Sequence, residues 1–200
     1  GYDAGASITS GIKNTIMGGL AGDALTTGAE NVAIGYRALT SEDGHGKNVA
    51  VGFQSLVSLN AGADAYNVAV GHSAGAEVTT GIQNTLLGSQ VGDALTTGSY
   101  NVAIGFQALS SEDSGGRNVA IGRAALNQLN AGADGYNVAV GIEAGYTMTT
   151  GIQNTLIGAN AGALVTTGSY NTIMGGLAGD ALTIGNYNVA LGKDALSTSV

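Results

Sequence analysis

One short phrase recurs along the chain: an Asn, then Val or Thr, then Ala, Ile or Leu, then a larger aliphatic residue, then Gly. The asparagines are Asn14, Asn31, Asn48, Asn67, Asn84, Asn101, Asn118, Asn137, Asn154, Asn171 and Asn188, spaced 17, 17, 19, 17, 17, 17, 19, 17, 17 and 17 residues apart. A fixed period this short constrains the fold more than composition does, because each unit must bury its apolar side against a copy of itself. The spacings themselves repeat after 70 residues: NVAVGHSAGAEVTTGIQNTLLG at Asn67 returns at Asn137 as NVAVGIEAGYTMTTGIQNTLIG. Residues 1–200 therefore read as a single repeat segment of eleven to twelve coils, with superrepeat units over 14–83 and 84–153 and a partial one over 154–200. Gly1 and Val200 both fall in mid-coil, and because open solenoid ends need caps, the segment is expected to be an excerpt of a longer fibre.

The period selects strands. Helical repeats run to about 33 residues or more and tolerate Gly poorly, whereas this chain has 35 Gly and repeats every 17 residues. The expected fold is all-β, a parallel β-solenoid of about 17 residues per coil, each coil made of two short strands, the first as at Val32–Ile34 and the second ending as at Ala38 and Leu39, with two turns. With the motif Asn as position 1, positions 2 and 4 point to one face of the strand and position 3 to the other. We assign positions 2 and 4 to the core of the coil. Position 3, which is bulky at Ile16, Leu86, Leu156 and Ile173, is then expected on a face covered by another copy of the chain. Positions 9 and 12 compensate: Gly22, Gly75, Gly92, Gly145, Gly162 and Gly179 go with an aliphatic position 12, while Leu39 and Leu109 go with Glu42 and Glu112. The long coils carry Leu56 with Leu59 and Leu126 with Leu129, and are expected to bulge.

Stacked coils turn recurrent residues into ladders. Asn31, Asn48, Asn67, Asn84, Asn101, Asn118, Asn137, Asn154 and Asn171 are expected to form one, their amides bonding along the axis or to a turn backbone. Gly at position 5 and in the TTG turns suits positive φ or close backbone approach.

Composition narrows the partners. The net charge is −8 with only six scattered Lys or Arg, so no basic stripe exists for phosphates and nucleic acid is not expected as a partner. No apolar run reaches the roughly 20 residues of a membrane helix, so no membrane insertion is expected. Without Cys there is no disulfide framework and no thiolate metal site, and no cofactor is expected.

The NVAIG and NVAVG motifs, with Ala or Ser three positions after the Gly, resemble the NSVAIG-type repeats of YadA-like trimeric adhesin heads and the repeats of bacteriophage tail fibres. The resemblance covers almost the whole chain. It implies a left-handed β-roll assembled as an intertwined or side-by-side homotrimer, located outside the cell and used for attachment. The longer coils, and Val or Thr where the adhesin heads carry Ser, place the phage tail fibre of a virion ahead of the bacterial cell-surface adhesin.

Catalytic motifs are thin. Gly71–Gly75 reads GHSAG, formally a nucleophile elbow with Ser73, but other coils have GFQAL, GIEAG or GANAG there, so an outward variable position is the better reading. No enzyme activity is expected. His45 and His72 are too few and too dissimilar for a repeated site, and the acidic pairs Glu42–Asp43 and Glu112–Asp113 read as solvated turns, with Ca²⁺ binding as the rival.

Positions 6 and 7 vary most among otherwise similar coils, which marks the outward face. Tyr36 with Arg37, Phe53 with Gln54, Phe106 with Gln107, and Arg123 are the candidate receptor-facing residues, because an aromatic beside a polar donor suits a sugar. The Tyr before the Asn (Tyr66, Tyr100, Tyr136, Tyr170, Tyr187) is expected as a packed edge residue. The expected function is a rigid, trimeric fibre segment in host-cell attachment through a receptor, with a glycan as candidate. A bacterial adhesin head is the alternative, and an ice-binding solenoid with Thr arrays the more distant one.

Overall fold

A computed structural model describes residues 1–197, so the end of the partial third superrepeat lies outside the described residues. The secondary structure is eleven three-residue strands: β1 (Thr15–Met17), β2 (Val32–Ile34), β3 (Val49–Val51), β4 (Val68–Val70), β5 (Thr85–Leu87), β6 (Val102–Ile104), β7 (Val119–Ile121), β8 (Val138–Val140), β9 (Thr155–Ile157), β10 (Thr172–Met174) and β11 (Val189–Leu191). They form one sheet in sequence order, each strand parallel to the next. The register carries each position onto its counterpart, Val102 on Val119 and Ala103 on Ala120, and also across a long coil, Val49 on Val68. This is a parallel β-solenoid with one strand per coil and turns filling the rest; the second strand expected up to Ala38 and Leu39 is a turn instead, because positive φ at Arg37 and Leu39 takes that backbone out of the extended conformation.

The facing of the strand is the reverse of the sequence expectation. Position 3 points into the coil: Ala33, Ala50, Leu86, Ala103, Leu156 and Ile173 are fully buried. Positions 2 and 4, such as Val102 and Ile104, are only half-buried in the single chain. The packing shows why. A large residue at position 3 sits against the Gly at position 9 across the coil, since a Cβ on Gly92 would stand 3.0 Å from Leu86 Cδ2. Where position 9 is Leu39, Leu56, Leu109 or Leu126, position 3 is Ala. The volume trade is therefore between positions 3 and 9, while position 12 stays buried throughout most of the rod, at Leu25, Glu42, Leu59, Val78, Leu95, Glu112, Leu129, Met148 and Val165. The coils at Asn67 and Asn137 are small at both positions, and neighbouring coils close the space: a Cβ on Gly145 would meet Leu156 from one side and Leu126 from the other, at 2.7 and 2.8 Å.

The Asn ladder forms, and it bonds in both expected directions. Asn101 Oδ1 accepts the Asn118 backbone N–H at 3.0 Å, while Asn101 Nδ2 donates to the Gly115 carbonyl at 3.1 Å. In the long coils Asn48 and Asn118 donate instead to Gly46 and Gly116, because the inserted residues carry the usual turn carbonyl away. Position 5 allows close axial approach: at Gly105, φ is 127° and a Cβ would lie 2.6 Å from the Gly122 carbonyl oxygen. Positive φ is not confined to Gly, since Arg37 (54°), Leu39 (53°), Tyr100 (63°) and Leu109 (54°) share it. Such conformations cost L-residues about 1–2 kcal/mol each. Inter-coil bonds hold them, as Leu109 N–H donates to Ala125 and Tyr100 N–H to Ile82.

Candidate functional site

Three outward features remain once the coil interior is filled. The first is the solvent side of the sheet, where positions 2 and 4 form two rows of Val, Ile, Leu, Met and Thr from β1 to β11. Met17, Val70, Met174, Val189 and Leu191 are among its more exposed members.

The second lies just past the bend at the position-5 Gly, where the position-6 residues stack along the axis. Tyr36 and Phe53 have ring centroids 5.6 Å apart at 22°, and Phe53 and His72 follow at 4.9 Å and 11°. Tyr36, Phe53 and Phe106 are each a little under half exposed. Position 7 runs beside them, half-buried, as Arg37, Gln54, Ser73, Gln90 and Gln107. Gln107 Nε2 donates to Gln90 Oε1 at 3.3 Å, and Arg123 pairs with Glu143 at 2.6 Å. The structure thus brings Tyr36 and Phe53 together, adds His72 to them, and sets Phe106 and Arg123 further along the same row, with Gln107 in the row beside it. The signal for His72 was present in the sequence, because it occupies the same position as Tyr36 and Phe53, one coil on.

The third is the row preceding the motif Asn. Tyr66, Tyr100, Tyr136, Tyr170 and Tyr187 are exposed there rather than packed at an edge. Successive coils set these rings against cations or against one another. Arg117 Cζ stands 4.9 Å from the Tyr100 ring centroid and 5.7 Å from that of Tyr136, Lys47 covers Tyr66, and Tyr170 stacks on Tyr187 at 4.9 Å. Lys47 also pairs with Asp64 at 2.7 Å, which holds the Asp64 carboxyl below its ordinary range. Arg117 pairs with Asp134 at 3.1 Å.

The acidic turns are not wholly solvated. Asp43 is exposed, but Glu42 and Glu112 are fully buried in the position-12 row. Glu112 accepts from Gly115 N–H at 2.8 Å through Oε1 and from Ala131 N–H at 3.2 Å through Oε2. Ala131 lies in the turn lengthened by insertion, so the carboxylate fastens the bulge of the following long coil, and Glu42 does the same for Ala61. Burial pushes both carboxyls above their ordinary range. Glu42, Asp43 and His45 bring one ligand-type atom each within 4.8 Å of one another. Gly115 stands where His45 would be in the second superrepeat, and the Glu oxygens are committed to backbone N–H groups in both.

Ser73 Oγ lies 3.1 Å from His72 Nδ1 on a turn of the solenoid, and the strand-to-helix turn of a nucleophile elbow is not formed there. The described residues enclose no pocket. The Thr of the TTG turns bond along the axis, as Thr96 Oγ1 does to the Asp113 carbonyl, and their rows are interrupted in each superrepeat.

The architecture places the chain in the class of parallel β-solenoid repeat proteins. No family model matches it, and neither a curated protein nor a solved structure does.

Proposed function

We propose that this chain is a structural and attachment element: a stiff, left-handed, homotrimeric segment of a phage tail fibre that serves host-cell attachment through a cell-surface receptor. One observation carries the assembly: on the outer sheet face the position-4 row is aliphatic along its whole length, from Met17 to Leu191, beside a row of Val and Thr at position 2. Eleven strands at about 4.8 Å spacing give a stripe about 48 Å long and about 10 Å wide, or about 500 Å². That is at the upper end of the apolar patches that monomers leave in water. The rows beside it widen the surface toward the roughly 800 Å² per partner of a stable interface. A second and third copy of the chain, presenting the same stripe toward a common axis, cover it with a matching 4.8 Å repeat. The motif resemblance supports handedness, trimer and virion location. The axial ladders support stiffness, because opening one coil breaks buried Asn bonds on both sides.

Sedimentation equilibrium tests the assembly. The wild-type chain is expected at three times its own mass, and Ile104→Lys, on the outward face, is expected to fall to the monomer mass while keeping its β-sheet circular dichroism. A wild-type chain that sediments as a folded monomer overturns the reading.

A further inference from the structure

Rings on this rod stand at whole-coil intervals, and the structure repeatedly places one planar group between two rings two coils apart. Phe53 fills the interval from Tyr36 to His72, at 5.6 and 4.9 Å. The Arg117 guanidinium fills that from Tyr100 to Tyr136, at 4.9 and 5.7 Å. Gln83 and Gln153 occupy the register positions between Tyr66 and Tyr100 and between Tyr136 and Tyr170. Two intervals of this length carry no planar side chain: Tyr2 to Tyr36 over Gly19, where the Tyr36 ring leans so close that a Cβ on the glycine would stand 3.4 Å from its Cδ2, and the roomier one from His72 to Phe106 over Ser89. Two coil steps separate these positions by about 9.6 Å, room for a single six-membered ring with van der Waals contact on both sides.

We propose that this step binds one neutral pyranose ring of a cell-surface glycan, held between His72 and Phe106 over Ser89. The inference rests on the attachment reading above and names the residues that would carry it. A pyranose offers C–H faces to the rings and hydroxyls at its rim. Beside the step stand Gln90 and Gln107, whose mutual bond leaves the Gln90 N–H groups and the Gln107 carbonyl oxygen free of other side chains. A flat aromatic ligand would fill the interval and give those amides no partner. Charge selects a neutral sugar, since Arg123, the next residue of the row, is already paired with Glu143 at 2.6 Å.

The test is saturation-transfer NMR on the assembled wild-type chain with the methyl glycosides of glucose, galactose and mannose. At least one is expected to show enhancement at its ring protons. Ser89→Tyr, which continues the ring stack through the step, should abolish it or weaken the apparent Kd at least about tenfold, while Ser89→Ala retains it. Phe106→Ala removes an exposed wall and is expected to lose the signal as well, which keeps the test open should Ser89→Tyr fold poorly. Absence of enhancement with all three glycosides, undiminished binding by folded Ser89→Tyr, or displacement of the sugar by equimolar phenol overturns the proposal. Adsorption of labelled protein to a panel of bacterial cells separates the two readings. Adsorption with no glycoside signal overturns the sugar step alone, and a glycoside signal without adsorption overturns attachment alone.

Discussion

Truncating Leu86 and Leu87 separately decides which side of the strand is inside. Leu86 is fully buried and reaches two coils: a Cβ on Gly75 would meet its Cδ1 at 2.7 Å and one on Gly92 its Cδ2 at 3.0 Å. Both neighbours are Gly, with no side chain to move into the space, so Leu86→Ala should lie toward the upper part of the about 2.7–5 kcal/mol range for buried Leu→Ala changes. With a urea m-value of about 2 kcal/mol/M, a loss of about 4 kcal/mol lowers the midpoint by about 2 M. Leu87 is half-buried on the outer face, and its truncation in the single chain removes about 1 kcal/mol of burial. Its remaining effect arises at the subunit contact, so it is full while both forms assemble and is lost once both are dilute enough to be monomers. Urea unfolding at two protein concentrations reads both. The expected result is a large shift for Leu86→Ala at either concentration, and a Leu87→Ala shift that falls toward its single-chain value of about 1 kcal/mol as protein is diluted. A Leu87→Ala loss exceeding that of Leu86→Ala at both concentrations would refute the facing derived from the packing.

The Asn ladder and the buried acids give two further outcomes. Asn101→Ala orphans the Asn118 N–H and the Gly115 carbonyl; at about 1–3 kcal/mol for each buried group, the loss is about 2–6 kcal/mol. Hydrogen exchange should show reduced protection at the Asn118 amide, and an unchanged rate would count against the ladder's contribution. Glu112, whose carboxyl is raised above the ordinary 4.5 by burial, holds its proton more tightly folded than unfolded. Between 4.5 and that raised value the folded chain carries the extra proton, so its contribution to stability falls as pH rises through the window and is recovered on acidification. Thermal melts across that window should show a shallower pH slope in Glu112→Gln than in wild type, and identical slopes would contradict the assignment.

Much of the candidate site follows from register alone. Once coils stack in phase, residues 17 or 19 apart become neighbours, which puts Phe53 on Tyr36 and His72 on Phe53, and sets Arg117 between Tyr100 and Tyr136. Exposed Tyr residues were the harder case, because Tyr suits a packed edge as readily as a ring stack in water. The burial of Glu112 was hidden for a similar reason: SEDS has the composition of a solvated turn, and only the inserted Ala131 N–H, one coil away, supplies the carboxylate with a buried partner.

By itself the sequence determined the period, the strand at each motif and the Asn ladder, because recurrence at constant spacing leaves stacking in phase as the consistent solution. Only the tertiary structure decided which way the strand faces. Val102, Ala103 and Ile104 are all apolar, so a three-residue strand has no polar alternation to orient it. The width of the coil settles the matter. Leu109 or an equivalent fills the interior from the opposite wall, Ala103 is what fits in front of it, and the larger Val102 and Ile104 are left outside to meet another surface.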